Sequence, residues 1–130
     1  MTRRMRLITL VLVGLFAAPV LARAVEPPKV SAVISVKVTG DRQAYYGKLK
    51  NLQAITKRLG LPQARVWRET VGGEGADTIH IVTEYPSLAA WAESQNKLNA
   101  DPEAAKFLRD LDTSGIRTLL GRSLMVDETP

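Results

Sequence analysis

The stretch Thr78 to Trp91 constrains the fold of this chain more than any other. It reads Thr-Ile-His-Ile-Val-Thr-Glu-Tyr-Pro-Ser-Leu-Ala-Ala-Trp. Ile79, Ile81, Thr83 and Tyr85 alternate with Thr78, His80, Val82 and Glu84, the period of a strand whose side chains leave opposite faces. Pro86 has no amide hydrogen to give to a central strand. Ser87 then offers a hydroxyl to the open amides of a helix that begins Leu88-Ala89-Ala90-Trp91.

The rest of the chain supplies the partners of this unit. Val30, Ala32, Ile34, Val36 and Val38 alternate with Ser31, Val33, Ser35, Lys37 and Thr39, predicting a strand with one buried face. Thr39-Gly40-Asp41 is a turn able to cap a helix. Tyr45, Leu49, Leu52, Ile55 and Leu59 recur at steps of three and four, predicting an amphipathic helix from Arg42 to Leu59 that Gly60 and Pro62 end. Gln63 to Thr70 reads as an edge strand charged on both sides, with Arg65, Trp67 and Glu69 opposite Ala64, Val66 and Arg68. The glycine-rich loop from Val71 to Asp77 leads into a strand, so it reads as a hairpin connection; a phosphate-binding loop opens a helix. Helix then runs from Ser87 to about Leu98. Asn99-Ala100-Asp101-Pro102-Glu103 is a second cap with proline at the first helical position, making either one kinked helix or two in sequence. Thr113-Ser114-Gly115 ends it, and Leu119 to Val126 reads as the last strand.

The first 24 residues stand apart. Arg3, Arg4 and Arg6 precede an almost unbroken apolar run from Leu7 to Val20, and Ala22-Arg23-Ala24 follows. This is the pattern of a secretory signal peptide, with a run too short for a membrane span of about 20 residues. The expected organisation is residues 1–24 as signal peptide and 25–130 as a single domain, periplasmic or secreted in a bacterium and free of the membrane once cleaved. Of the 18 basic residues, Arg3, Arg4, Arg6 and Arg23 lie in this leader and no acidic residue does, so most of the formal charge of +5 belongs to it. The remainder is nearly neutral and has no basic stripe, which argues against a nucleic-acid partner. The chain has no cysteine, which excludes disulfides and thiol chemistry.

The order strand-helix-strand-strand-helix-strand predicts a ferredoxin-like fold with a four-stranded antiparallel sheet and both helices on one face. The other face, carrying Val33, Val82 and Trp67, is left uncovered, and an exposed apolar face marks an interface. The chain resembles the dimeric α+β-barrel superfamily, including its antibiotic-biosynthesis-monooxygenase-like and NIPSNAP-like branches. The likeness lies in Glu84-Tyr85-Pro86-Ser87-Leu88-Ala89-Ala90-Trp91, in the Asp101-Pro102-Glu103 cap and in the closing Arg122-Ser123-Leu124. The resemblance implies a homodimer in which two sheets face each other, with ligand pockets between sheet and helices. Haem-degrading members have an asparagine on the first strand, a tryptophan on the third and a histidine on the second helix. Here the first strand has no asparagine, the third carries His80 and the second helix carries Trp91, so no catalytic residue carries over.

His80, the only histidine, is a possible general base or haem ligand, or a ring satisfied at an interface. One histidine and no cysteine argue against a zinc site. Glu69 or Glu84 could accept a hydrogen bond from His80, but Glu84 lies about 13 Å along the strand. Both glutamates are expected to pair with Arg65, Arg68 or Arg122. Trp91 is expected in the core and Trp67 at an interface. The ligand-binding candidates are therefore His80, Trp67, Arg68 and Arg122, with no cofactor and no metal. The leading reading is a non-enzymatic exported homodimer that binds a small apolar or aromatic ligand or a partner. The alternatives are a cofactor-independent oxygenase or isomerase, with His80 as base and Arg68 or Arg122 steadying an oxyanion, and a haem-binding protein that uses His80. Intact-mass analysis of the exported protein is expected to show Val25 as its first residue; a retained leader in a membrane fraction would overturn the export reading.

Overall fold

The computed structural model describes residues 25–71 and 73–130. The expected leader lies outside the described residues. The elements are β1 (Val30–Val38), α1 (Arg42–Arg58), β2 (Arg65–Arg68), a short 3-10 turn (Gly73–Gly75), β3 (Ile79–Tyr85), α2 (Leu88–Ala100), α3 (Pro102–Thr113) and β4 (Arg117–Val126). The four strands form one antiparallel sheet in the order β2-β3-β1-β4. This is the ferredoxin-like α+β arrangement expected from the sequence, with the two most apolar strands at its centre. The second helical stretch divides into two helices. Among the described residues no helix is long and apolar enough to cross a membrane.

The core lies on one side of the sheet. Val36, Ile79 and Ile81 of the central strands meet Tyr45 and Leu49 of α1 and Leu111 of α3, with Phe107 packed against them. Fully burying side chains of this size stabilises by about 1.5–3 kcal/mol each. Arg117 enters this layer as a buried cation, its side chain only 7% exposed. It donates to Tyr45 Oη at 3.2 Å and to Asp112 at 3.1 Å, which joins the start of β4 to α1 and α3.

The element ends follow local chemistry. α1 starts at Asp41, whose carboxylate accepts from the Gln43 amide. It ends at Gly60, whose φ of 70° suits glycine. The Gly60 amide reaches the Lys57 carbonyl and the Leu61 amide reaches the Thr56 carbonyl, a Schellman closure sealed by the buried Leu61. Ser87 caps α2 through the Ala90 amide. Asp101 ends α2 and caps α3 through the Ala104 amide at 2.9 Å. Arg58, at the end of α1, donates to both Asp101 (2.8 Å) and Glu103 (2.9 Å). One arginine thereby clamps the α2–α3 joint to α1.

Three boundaries differ from the sequence reading. β2 is shorter than Gln63–Thr70 because the chain leaves Pro62 without ladder bonds and turns at the loop. β4 begins earlier, at Arg117, where it still pairs with Val38. A bulge shifts the β1–β4 register between Ser35 and Val36: Ser35 faces Gly121 but Val36 faces Leu119, leaving Leu120 as the extra residue. Leu119, expected on the Gly121 face, therefore shares the face of Val36.

The hydrogen bond from Arg58 holds Asp101 below the ordinary carboxylate range, helped by the Ala104 amide. A carboxylate lowered on folding contributes stability that is present above its unfolded pKa and lost as pH falls through its folded value. Asp101→Asn keeps a capping acceptor but loses the ion pair. The variant is expected to melt lower than the parent near neutral pH, and the gap should close as pH falls below the ordinary range of a carboxylate, measured by circular dichroism. A gap that persists unchanged into acid would show that the charge of Asp101 contributes nothing.

Candidate functional site

Directly opposed residues of an antiparallel pair point to the same face. Since Ile79 and Ile81 contact the helices, His80 and Val82 lie on the open face of the sheet. Ser35 of β1 is opposite His80, and Trp67 of β2 is opposite it on the other side. Val33 is opposite Val82, and Arg65 is opposite Val82 from β2. This face holds the strongest concentration of chemistry among the described residues.

Its centre is a chain of three side chains. Ser35 Oγ and His80 Nδ1 are 2.9 Å apart, and His80 Nε2 and Glu69 Oε2 are 3.3 Å apart. The His80 and Glu69 side chains are 33% and 34% exposed. An ionised carboxylate only accepts, so Glu69 calls for a proton on Nε2. In the neutral ring Nδ1 is then the acceptor, and the Ser35 hydroxyl donates to it. Glu69 is fixed through its backbone, with its amide donating to the Thr78 carbonyl and its carbonyl accepting from the Asp77 amide, both at 2.8 Å.

The sequence candidates do not converge. His80 and Trp67 are neighbours on the open face, and Trp67 is 58% exposed. Arg68 leaves the opposite face of β2 and bonds Asp77 at 3.4 Å. Arg122 is opposite Ile34, on the helix side of the sheet at the outer strand β4. The expected pairing of Glu69 with arginine is replaced by its bond to His80. The pleat turns Arg68 to the opposite face, Arg65 lies farther along the strand opposite Val82, and Arg122 is on β4 on the helix side. Glu84 is exposed and, among the described residues, forms no ion pair. Trp91 is partly buried on α2. Ser35 had no distinguishing local signal; its role comes from the strand register.

Next to Trp67, a groove of about 300 Å³ is lined by Gln63, Arg65, Trp67, Val82 and Glu84. It offers an indole ring and a valine with a cation, a carboxylate and an amide around them. That mixture suits a small aromatic or apolar molecule carrying a polar group. Among the described residues no three His, Asp or Glu side chains gather as a metal site.

No protein-family model and no curated protein matches the sequence. Solved structures do match in shape. A cofactor-independent oxygenase from Streptomyces nogalater, SnoaB, is similar with a TM-score of 0.59 at 14% identity, covering 78% of this chain and 95% of that one. A NIPSNAP family protein of unknown function from Agrobacterium tumefaciens is similar with a TM-score of 0.58 at 18% identity, covering 81% and 94%. A second NIPSNAP family protein from that organism gives 0.55 at 17%, covering 80% and 88%. At such identities the likeness shows the fold, which is the ferredoxin-like α+β architecture that the sequence resemblance implied.

The His80 arrangement makes a spectroscopic prediction. Long-range nitrogen–proton correlation spectra of the neutral ring are expected to show the Nε2–H tautomer, and Glu69→Gln should weaken that preference. A dominant Nδ1–H form in the parent would contradict the Ser35–His80–Glu69 order.

Proposed function

We propose that this protein is an exported, non-enzymatic homodimer that binds a small aromatic or apolar ligand on the open face of its sheet. The observation that carries the reading is the exposed Trp67 beside Val82 in a groove with Arg65 and Glu84 at hydrogen-bonding positions for a polar substituent. The pairing of two copies is supported by the apolar residues left open on this sheet. Val33 and Val82 sit opposite each other at the centre of the face. β4 adds exposed Met125 on this face and exposed Leu124 and Val126 on the other. Such a surface is costly to leave in water. The signal-peptide pattern of residues 1–24 supports export.

A second reading has a specific observation in its favour. Glu69 orients His80 and leaves Nδ1 basic toward Ser35, so His80 could take a proton from an aromatic substrate in a cofactor-independent oxygenase or isomerase. The fold similarity to SnoaB is compatible with it. A haem ligand at His80 would have to give up one of its two ring-nitrogen bonds, as would a base that takes a substrate proton on Nδ1.

Light scattering at tens of micromolar is expected to give a dimer mass, and Val82→Asp should raise its dissociation constant at least a hundredfold, because an unpaired carboxylate would enter an apolar contact. Native mass spectrometry of the purified protein should show a small-molecule adduct that Trp67→Ala loses. A monomeric parent would remove the dimer, and an adduct unaffected by Trp67→Ala would remove the site.

A further inference from the structure

The open face carries a carboxylate with only one bond. Glu69 Oε2 lies 3.3 Å from His80 Nε2, while Oε1 has no hydrogen-bond partner among the described residues. A Cβ added at Gly75 would stand 2.8 Å from Oε1, so this oxygen lies close against a position with no side chain. In a single subunit the Glu69 side chain is 34% exposed and keeps water around its charge. A second copy laid on the face takes that water away. Moving an ionised carboxylate out of water is strongly disfavoured unless the charge is compensated, and taking up a proton is the usual remedy. We propose that the Ser35–His80–Glu69 chain links the pairing of two copies to pH: each subunit takes up one proton at its His80–Glu69 pair as the interface closes, so the dimer tightens as pH falls. This rests on the pairing of sheet faces proposed above.

The chain of side chains accepts that proton without losing a bond. In the neutral ring Nε2–H donates to Glu69, and Nδ1 accepts from the Ser35 hydroxyl. A proton added at Nδ1 makes this nitrogen a donor as well. Ser35 Oγ, 2.9 Å away, then serves as the acceptor, because a hydroxyl has both functions and its hydrogen rotates. A backbone amide or an ammonium group in the same place would instead be left facing a second donor. Gly121 is opposite Ser35 on β4, and nothing lies within 4 Å of where a Cβ at position 121 would stand. The Ser35 hydroxyl therefore has room to turn. The imidazolium and the Glu69 carboxylate form a pair that is neutral as a whole, and the bond between them becomes charge-assisted.

The other charges on this face do not replace that proton. Among the described residues, Lys37 of β1 and Arg65 of β2 are the cations that share the open face, and Glu84 of β3 is the other acid. The open-face positions of β4 are uncharged. Neither Lys37 nor Arg65 forms an ion pair with Glu69, and Glu84 forms none with His80. Arg68 and Arg42 are bonded to Asp77. The helices pack on the opposite side of the sheet, against Ile79 and Ile81. Linkage fixes the sign. A site that holds its proton more tightly in the dimer than in the free subunit makes association stronger as protons become more available. That contribution is present at low pH and is lost as pH rises and the enclosed pair gives up its proton.

The test is the dimer dissociation constant of the purified protein, measured by sedimentation from about pH 8 to about pH 5.5, the range in which a histidine ring changes its charge. For the parent it is expected to fall roughly tenfold or more over that range. Glu69→Gln keeps an oxygen to accept from Nε2–H but has no charge to desolvate. It should pair more tightly than the parent at the upper pH and vary little with pH. His80→Gln keeps the carboxylate and has no ring to protonate, so its pairing should stay weak and flat across the range. Glu93→Gln, on α2, should reproduce the parent. A parent dimer that is indifferent to pH, or that loosens on acidification, overturns the proposal. So does a Glu69→Gln variant that pairs more weakly than the parent at the upper pH. Each of these outcomes leaves the pairing itself standing, whereas a parent that is monomeric across the range removes the pairing and this inference with it.

Discussion

The register of β1 against β3 is the constraint on which the rest of the structure depends. Val36 opposite Ile79 and Ile34 opposite Ile81 put four apolar side chains against the helices. The same register puts Ser35 opposite His80 and Val33 opposite Val82 on the other face. A slip of one residue would exchange the two faces of a strand. It would bury Ser35 and expose Val36, whose side chain is fully enclosed. Core and candidate site are thus two consequences of one pairing, and the energy that fixes the first also fixes the second.

What was legible in the sequence was what is local. The period-two pattern of Val30 to Val38, the stripe on α1, and the caps at Ser87 and Asp101 each depend on residues within a few positions. The alternation of β3 separates His80 from Ile79 and Ile81, and the face it occupies is settled by the contact of those isoleucines with the helices. Contacts between distant segments were not legible. Ser35 and His80 are 45 positions apart, and nothing near Ser35 separates it from any polar residue on a half-buried strand. Local charge favours an arginine partner for Glu69, whereas its bond to His80 depends on how Glu69, beyond the end of β2, comes to lie beside β3. The bulge at Leu120 has no clear sequence sign, and it reassigns Leu119 to the helix side.

Two ion-pair arrangements carry different weight. The clamp of Arg58 on Asp101 and Glu103 is partly open to water, and such pairs contribute little individually. Its value lies in geometry, because Asp101 also satisfies an open amide of α3 and closes α2. The buried guanidinium of Arg117 is different. Removing Tyr45 Oη or Asp112 would leave donors of a buried cation unpaired, which costs more than the bonds themselves stabilise.

The polar chain on the open face is compatible with enclosure for a related reason. Covering a sheet face with a second copy removes water from every group on it, and an isolated carboxylate there would oppose association. Glu69 is not isolated: His80 occupies one oxygen, and the close approach of Gly75 already excludes part of its solvent. Ser35 satisfies the remaining ring nitrogen. One oxygen of the Glu69 carboxylate has no hydrogen-bond partner among the described residues, so enclosing the three groups would still carry the cost of desolvating its charge. Arg65 and Glu84, by contrast, line the groove beside Trp67 and have no ion-pair partner among the described residues. The face is thus divided into a centre whose ring nitrogens are both engaged and a polar margin whose unmet hydrogen-bonding capacity is left for a ligand or for solvent.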